Sequence, residues 1–106
     1  MIKKLSLISL FTMLPASFYY AQTTVFAYLK DADGKPVEKA QVDLKGEANS
    51  VSADKIGYFQ FVDLKSGHYQ IVVTKANFEP KTFEFDITTE KRKDLGVITL
   101  YSTLTG

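Results

Sequence analysis

Histidine occurs once, at position 68, and cysteine and tryptophan do not occur at all. That inventory removes most covalent and metal chemistry before spacing is considered. Without cysteine there is no disulfide framework, no thiolate zinc site, no cysteine nucleophile and no lipidated N-terminal cysteine. A single histidine cannot build a multi-histidine metal site. His68 follows Gly67 at the head of an alternating run, with no Ser or Cys in a nucleophile setting beside it. It reads as a surface residue rather than a catalytic base.

Three further groups of residues invite a chemical reading. Asp31-Ala32-Asp33-Gly34 has the acidic start of a calcium loop. Such a loop needs oxygen ligands at its first, third and fifth positions, Gly at the sixth and Glu at the twelfth. Counted from Asp31, those last three places hold Lys35, Pro36 and Val42, so a plain Asp-Gly turn is expected and no metal. Glu90-Lys91-Arg92-Lys93-Asp94 offers three cations to an anionic partner, but its flanking acids weaken the field, and a solvated loop is the expectation. Phe26 and Tyr28 stand two apart, between Val25, Ala27 and Leu29. If the aliphatic set faces the core, the aromatics face away from it and form an apolar patch suited to a partner. Alternatively, Tyr101 and Leu104 from the end of the chain cover them.

The elements that position these residues must come from 106 residues carrying 13 basic and 12 acidic side chains. One domain is the natural size. The balanced charge gives no footprint for nucleic acid or for a polybasic membrane surface. Lys3 and Lys4 precede an uncharged, mostly apolar run, Leu5 to Leu14, which Pro15 breaks before Ala21-Gln22. This is the layout of a secretory signal peptide. Ten residues of helix rise about 15 Å, half a hydrocarbon core, so no membrane span is expected. We place the signal peptide at residues 1–21, with Tyr19 an unusual residue three before the cut, and the domain at residues 22–106. Export without cysteine points to a bacterial periplasm or cell surface.

The domain reads as seven short strands with period-two alternation. They cover Thr24–Asp31, Ala40–Lys45, Ser50–Ala53, Tyr58–Val62, His68–Lys75, Lys81–Ile87 and Leu95–Tyr101, with a polar loop over Thr88–Asp94. Turn residues separate them, Gly34, Pro36, Gly57 and Gly67 among them. No helical apolar stripe is present. One apolar face per strand implies two sheets sharing one core, filled by Phe and aliphatic side chains. Binding must then use loops, a sheet face or an edge. The first strand is the expected edge.

The run from Ala27 to Val42, with Asp31-x-x-Gly34-x-Pro36 and then Ala40-x-Val42, resembles the opening of carboxypeptidase regulatory-like domains, also called transthyretin-like or prealbumin-like modules. Asp54-x-x-Gly57-x-Phe59 and Leu64-x-x-Gly67-x-Tyr69-x-Ile71-x-Val73 are similar to later motifs of that family. Asn77-Phe78 stands where it commonly has Gly-Tyr. The resemblance covers about residues 24–101. It implies an all-β fold, a seven-stranded antiparallel β-sandwich of transthyretin-like or Ig-like type. The motif residues are expected to be structural, with the Tyr69 hydroxyl directed to a backbone group.

Hydrolases of 5-hydroxyisourate share that fold and use several histidines, an arginine and a C-terminal Tyr-Arg-Gly-Ser tail. Here the end reads Tyr101-Ser102-Thr103-Leu104-Thr105-Gly106, and the chain has one His and one Arg, so an enzyme is not expected. Domains of the family also precede TonB-dependent outer-membrane receptors in Bacteroidetes-like bacteria, accompany carboxypeptidases, or line surface adhesins. No plug, barrel or protease follows Tyr101 in this sequence. The expectation is an exported binding or structural module without cofactor, meeting a cell-envelope protein through a sheet edge or the Phe26/Tyr28 face. The alternative is the N-terminal domain of a truncated TonB-dependent receptor.

Overall fold

A strand with one dry face must lay it against another sheet. In the first strand Val25, Ala27 and Leu29 are fully buried, whereas Phe26, Tyr28 and Lys30 are only half-buried. The computed structural model describes residues 22–104, so the signal peptide expected over residues 1–21 lies outside the described residues. Seven strands follow in order: β1 (Thr23–Asp31), β2 (Gln41–Leu44), β3 (Asn49–Ser52), β4 (Tyr58–Leu64), β5 (Gly67–Thr74), β6 (Lys81–Ile87) and β7 (Arg92–Leu100). They form an all-β sandwich. One sheet has the order β4-β1-β7 and the other β3-β2-β5-β6. Phe59 and Phe61 meet edge to face at 6.2 Å between centroids, and Leu44, Ile71, Val73 and Leu100 are buried with them in the core.

One expectation about β1 needs correction. It is the central strand of its sheet, not an edge, with β4 antiparallel on one side and β7 parallel on the other. The parallel pair is the exception in a sandwich whose other pairings are antiparallel. Alternation within a strand records which face is dry and nothing about its neighbours. The chain leaves β6 in one sheet and enters β7 in the other, along the side of β1 that β4 leaves open.

The last strand also starts earlier than its composition implies. Arg92, Lys93 and Asp94 belong to β7 and pair with Thr24, Val25 and Phe26. The register then shifts between Phe26 and Tyr28, so Leu95 and Gly96 together oppose Ala27. Gly96 takes a positive φ of 81°, and its N–H donates to Asp94 Oδ1 at 2.7 Å. This bulge lets a charged, glycine-containing segment pair as strand.

The two Asp-x-x-Gly motifs build the same turn. Asp31 Oδ1 accepts the N–H groups of Asp33 and Lys35, each at 2.9 Å, and Gly34 donates back to the Asp31 carbonyl at 3.0 Å. Asp54 Oδ1 accepts those of Ile56 and Tyr58 at 3.0 and 2.9 Å, and Gly57 donates to the Asp54 carbonyl at 3.0 Å. A carboxylate that satisfies two backbone donors and caps a glycine turn is structural. Pro36 lies against Lys30 in an isolated bridge, beside the bond from the Val37 N–H to the Leu29 carbonyl at 3.0 Å. Gly67 opens β5 opposite Ile87. The Tyr69 hydroxyl donates to the Lys65 carbonyl at 2.7 Å and its ring stacks on Phe85, as the sequence reading expects.

Candidate site on the outer face of the three-stranded sheet

Thr23, Val25, Ala27 and Leu29 of β1 are buried, which leaves Phe26, Tyr28 and Lys30 on the outer face. The register sets their neighbours. Tyr28 lies opposite Tyr58 on β4 and Val97 on β7, and Phe26 opposite Gln60 and Asp94. Tyr58 closes a cluster with both, its ring centroid 5.3 Å from that of Tyr28 and 6.1 Å from that of Phe26. The Tyr58 hydroxyl donates to Gln60 Oε1 at 2.8 Å. The Arg92 guanidinium sits 4.5 Å from the centroid of the Phe26 ring, in cation–π geometry.

Apolar surface continues outward. Val97 is 56% exposed beside Tyr28, and Val62 is 51% exposed in the bulge of β4. Lys30 and Arg92 have no carboxylate partner among the described residues. Asp94 uses one carboxylate oxygen on the Gly96 N–H. The face is therefore an aromatic and aliphatic stripe with an unpaired cation toward each end of β1. It can bury apolar area and accept carboxylates.

Cover by the end of the chain is not what the structure shows. Tyr101 and Leu104 are 56% and 67% exposed. The segment instead follows residues 77–79, where Glu79 N–H donates to the Tyr101 carbonyl and Thr103 N–H to the Asn77 carbonyl, both at 2.9 Å. Tyr58 and Arg92 are the site residues that sequence reasoning missed. Tyr58 was legible, since it has the outward parity relative to buried Phe59 and Phe61. Arg92 was hidden by its charged neighbours, which resemble a loop.

Two other titratable groups are held elsewhere. His68 lies on the outer face of the four-stranded sheet, Nδ1 2.7 Å from Asp86 Oδ1 and Nε2 3.2 Å from Glu84 Oε1. The hydrogen bond to Asp86 foremost raises its pKa above 6.5; desolvation opposes the rise, and the charges of Asp86 and Glu84 add to it. No group of three or more His, Cys, Asp or Glu among the described residues is arranged to hold a metal. The charge run at residues 90–94 is not a free loop. Its first residue clips β1 in place, the Glu90 carbonyl accepting the hydroxyl of buried Thr23. The Glu90 carboxylate accepts the Thr88 N–H at 2.6 Å and the Thr88 hydroxyl at 2.9 Å. Its own backbone N–H and these Thr88 donors push its pKa down to about 2, with a smaller contribution from Lys93.

A family model described as a carboxypeptidase regulatory-like domain matches residues 24–101. No curated protein matches the chain. A chain of a type II cohesin–X-dockerin complex from Acetivibrio cellulolyticus is similar at 23% identity and TM-score 0.64, over 76% of this chain and 58% of that one. The TIE protein of Bacillus anthracis is similar at 11% identity and TM-score 0.66, over 77% and 17% of the two chains. The C-terminal domain of the Caf1A usher is similar at 15% identity and TM-score 0.53, over 76% and 99%. In that usher domain, conserved hydrophobic clusters on the surface are important for F1 antigen assembly. At such identities the likeness shows the fold, an Ig-like sandwich. Among the described residues no helix is long and apolar enough to cross a membrane.

Proposed function

The chain belongs to the carboxypeptidase regulatory-like domain family, and from that membership we propose that it is an exported, non-enzymatic module that docks another cell-envelope protein on the outer face of its three-stranded sheet. The observation that carries this reading is the cluster of Phe26, Tyr28 and Tyr58 with Arg92 over Phe26. Rings and an arginine grouped on a flat face are the composition of energetically dominant contacts. The unpaired Lys30 and Arg92 specify the partner's chemistry, an apolar stripe bordered by carboxylates. One structural neighbour is a chain of a cohesin–X-dockerin complex, and another is an usher domain whose surface hydrophobic clusters are important for F1 antigen assembly. Export rests on Lys3-Lys4 and the apolar run that follows them.

The face is favoured over a sheet edge because every edge is blunted. β3 is four residues long. β4 carries the Val62–Asp63 bulge, with Asp63 at a φ of 60°, and β7 carries the Gly96 bulge. β6 presents exposed Glu84 and Asp86. Short length, bulges and charge are the devices that discourage strand addition.

A photo-crosslinking amino acid placed at Tyr58 or at Val97 in the full chain tests the reading in cells. The same protein adduct is expected from both positions and none from Thr82, on the other sheet. Adducts equally abundant from Thr82, or containing only a second copy of this chain, would overturn it.

A further inference from the structure

An open groove of about 450 Å³ runs between the start of β2, the end of β5 and the bend after it, lined by Lys39, Gln41, Thr74, Lys75, Phe78 and Pro80 among others. It lies apart from the aromatic face, and its volume suits a small ligand, roughly 300–1,000 Å³. We propose that it binds an acidic oligosaccharide, one whose sugar rings carry carboxylates.

The argument starts from the charges. Lys39 and Lys75 form no ion pair or hydrogen bond through their side chains among the described residues, although Glu38 and Glu79 lie close in sequence. Both lysines line one concavity, so an anion bound there meets two positive charges that no carboxylate neutralises. The other linings select among anions. Gln41 Nε2 donates to both carboxylate oxygens of Asp43, at 3.0 and 3.2 Å, which orients the amide and leaves Oε1 as an acceptor. Thr74, its cross-strand neighbour, is exposed and adds a hydroxyl. Phe78 packs one side on the core and contributes the other to the groove. The negative face of an aromatic ring attracts the polarised C–H groups of a sugar. An inorganic anion has no use for that ring or for the acceptor amide.

The backbone supports the same place. Only three described residues other than glycine have a positive φ, and two of them, Lys39 at 62° and Asn77 at 72°, border this groove. Lysine has no short polar group to ease that conformation, so the position is held from outside, by the bond from its N–H to the Ala53 carbonyl at 2.9 Å. The bend is held by Phe78 N–H on the Lys75 carbonyl at 3.0 Å and Thr103 N–H on the Asn77 carbonyl at 2.9 Å. Strain maintained by such bonds concentrates where ligands are held.

Titration of the purified protein with tetragalacturonic acid, followed by amide NMR shifts, tests the assignment. Shifts are expected at residues 39–41 and 74–78. A neutral glucose tetramer, inorganic phosphate and a tetraglutamate peptide should each bind about tenfold more weakly or worse. The pair Lys39→Gln/Lys75→Gln should weaken the acidic sugar about tenfold, while Lys45→Gln/Lys91→Gln should not. Absence of shifts in the groove, phosphate or peptide binding as tight as the sugar, or equal loss in the two lysine pairs would overturn the proposal.

Discussion

A Cβ built on Gly57 would stand 2.3 Å from the carbonyl oxygen of Leu29. The same two residues are joined by the Leu29 N–H, which donates to the Gly57 carbonyl at 2.7 Å. Gly57 also takes a φ of 81°. The turn before β4 is thus pressed against β1, and that contact fixes the register that brings Tyr58 beside Tyr28.

Gly57→Ala should therefore cost about 2–4 kcal/mol, since both the φ and the Leu29 oxygen oppose a methyl group. Gly34 has a φ of 85° but nothing within 4 Å of an added Cβ. Gly34→Ala should cost only about 1 kcal/mol, the conformational part alone. Urea denaturation measures both. Equal losses would mean that the Leu29 contact does not constrain the turn.

Seven strands were legible because alternation is local. Buried Phe59, Phe61, Ile71 and Val73 each sit where their parity places them. The position of β1 between β4 and β7 was not legible, because strand order depends on crossovers between sheets. Phe26 and Tyr28 were identified as outward, but Arg92 joins them only through a bulge at Gly96. The groove was invisible in the sequence, since Lys39 and Lys75 are brought together by the pairing of Gln41 with Thr74.

His68 gives the stability a dependence on neutral pH. Its folded pKa lies above its ordinary 6.5 through the bond to Asp86 and the two nearby carboxylates. The folded state then binds the proton more tightly than the unfolded chain does. The contribution is complete below pH 6.5 and lost as pH rises through the raised value. Because the site is exposed, salt should diminish the effect. Melting temperatures of the parent and His68→Gln should converge as pH rises through the raised value; parallel curves would contradict this origin.

Glu90 acts in the opposite sense. Its pKa falls from 4.5 to about 2, so its contribution is complete above 4.5 and lost as pH falls toward 2. Glu90→Gln should flatten the acid limb of the stability profile between those values. An unchanged acid limb would show that the carboxylate's bonds to Thr88 and to its own N–H do not stabilise the fold.

Tyr58→Ser removes the ring shared by Phe26 and Tyr28. Two aromatic contacts at about 0.5–1.5 kcal/mol each predict a loss of about 1–3 kcal/mol by urea denaturation. A negligible loss would mean that the cluster is not packed as described.

Export predicts that deleting residues 5–14 confines the protein to the cytoplasm, whereas the full chain appears in the periplasmic or extracellular fraction. Unchanged distribution on cell fractionation would remove the envelope from the account.

The most direct measurement is the affinity of the partner crosslinked at Tyr58 and Val97 for three purified proteins: the parent, Val97→Glu and Thr82→Glu. Both substitutions are at exposed positions, so melting temperatures should stay close to the parent's. Docking on the outer face of the three-stranded sheet predicts that Val97→Glu weakens binding about tenfold or more, while Thr82→Glu leaves it unchanged. Equal affinities for all three, or a loss confined to Thr82→Glu, would contradict it.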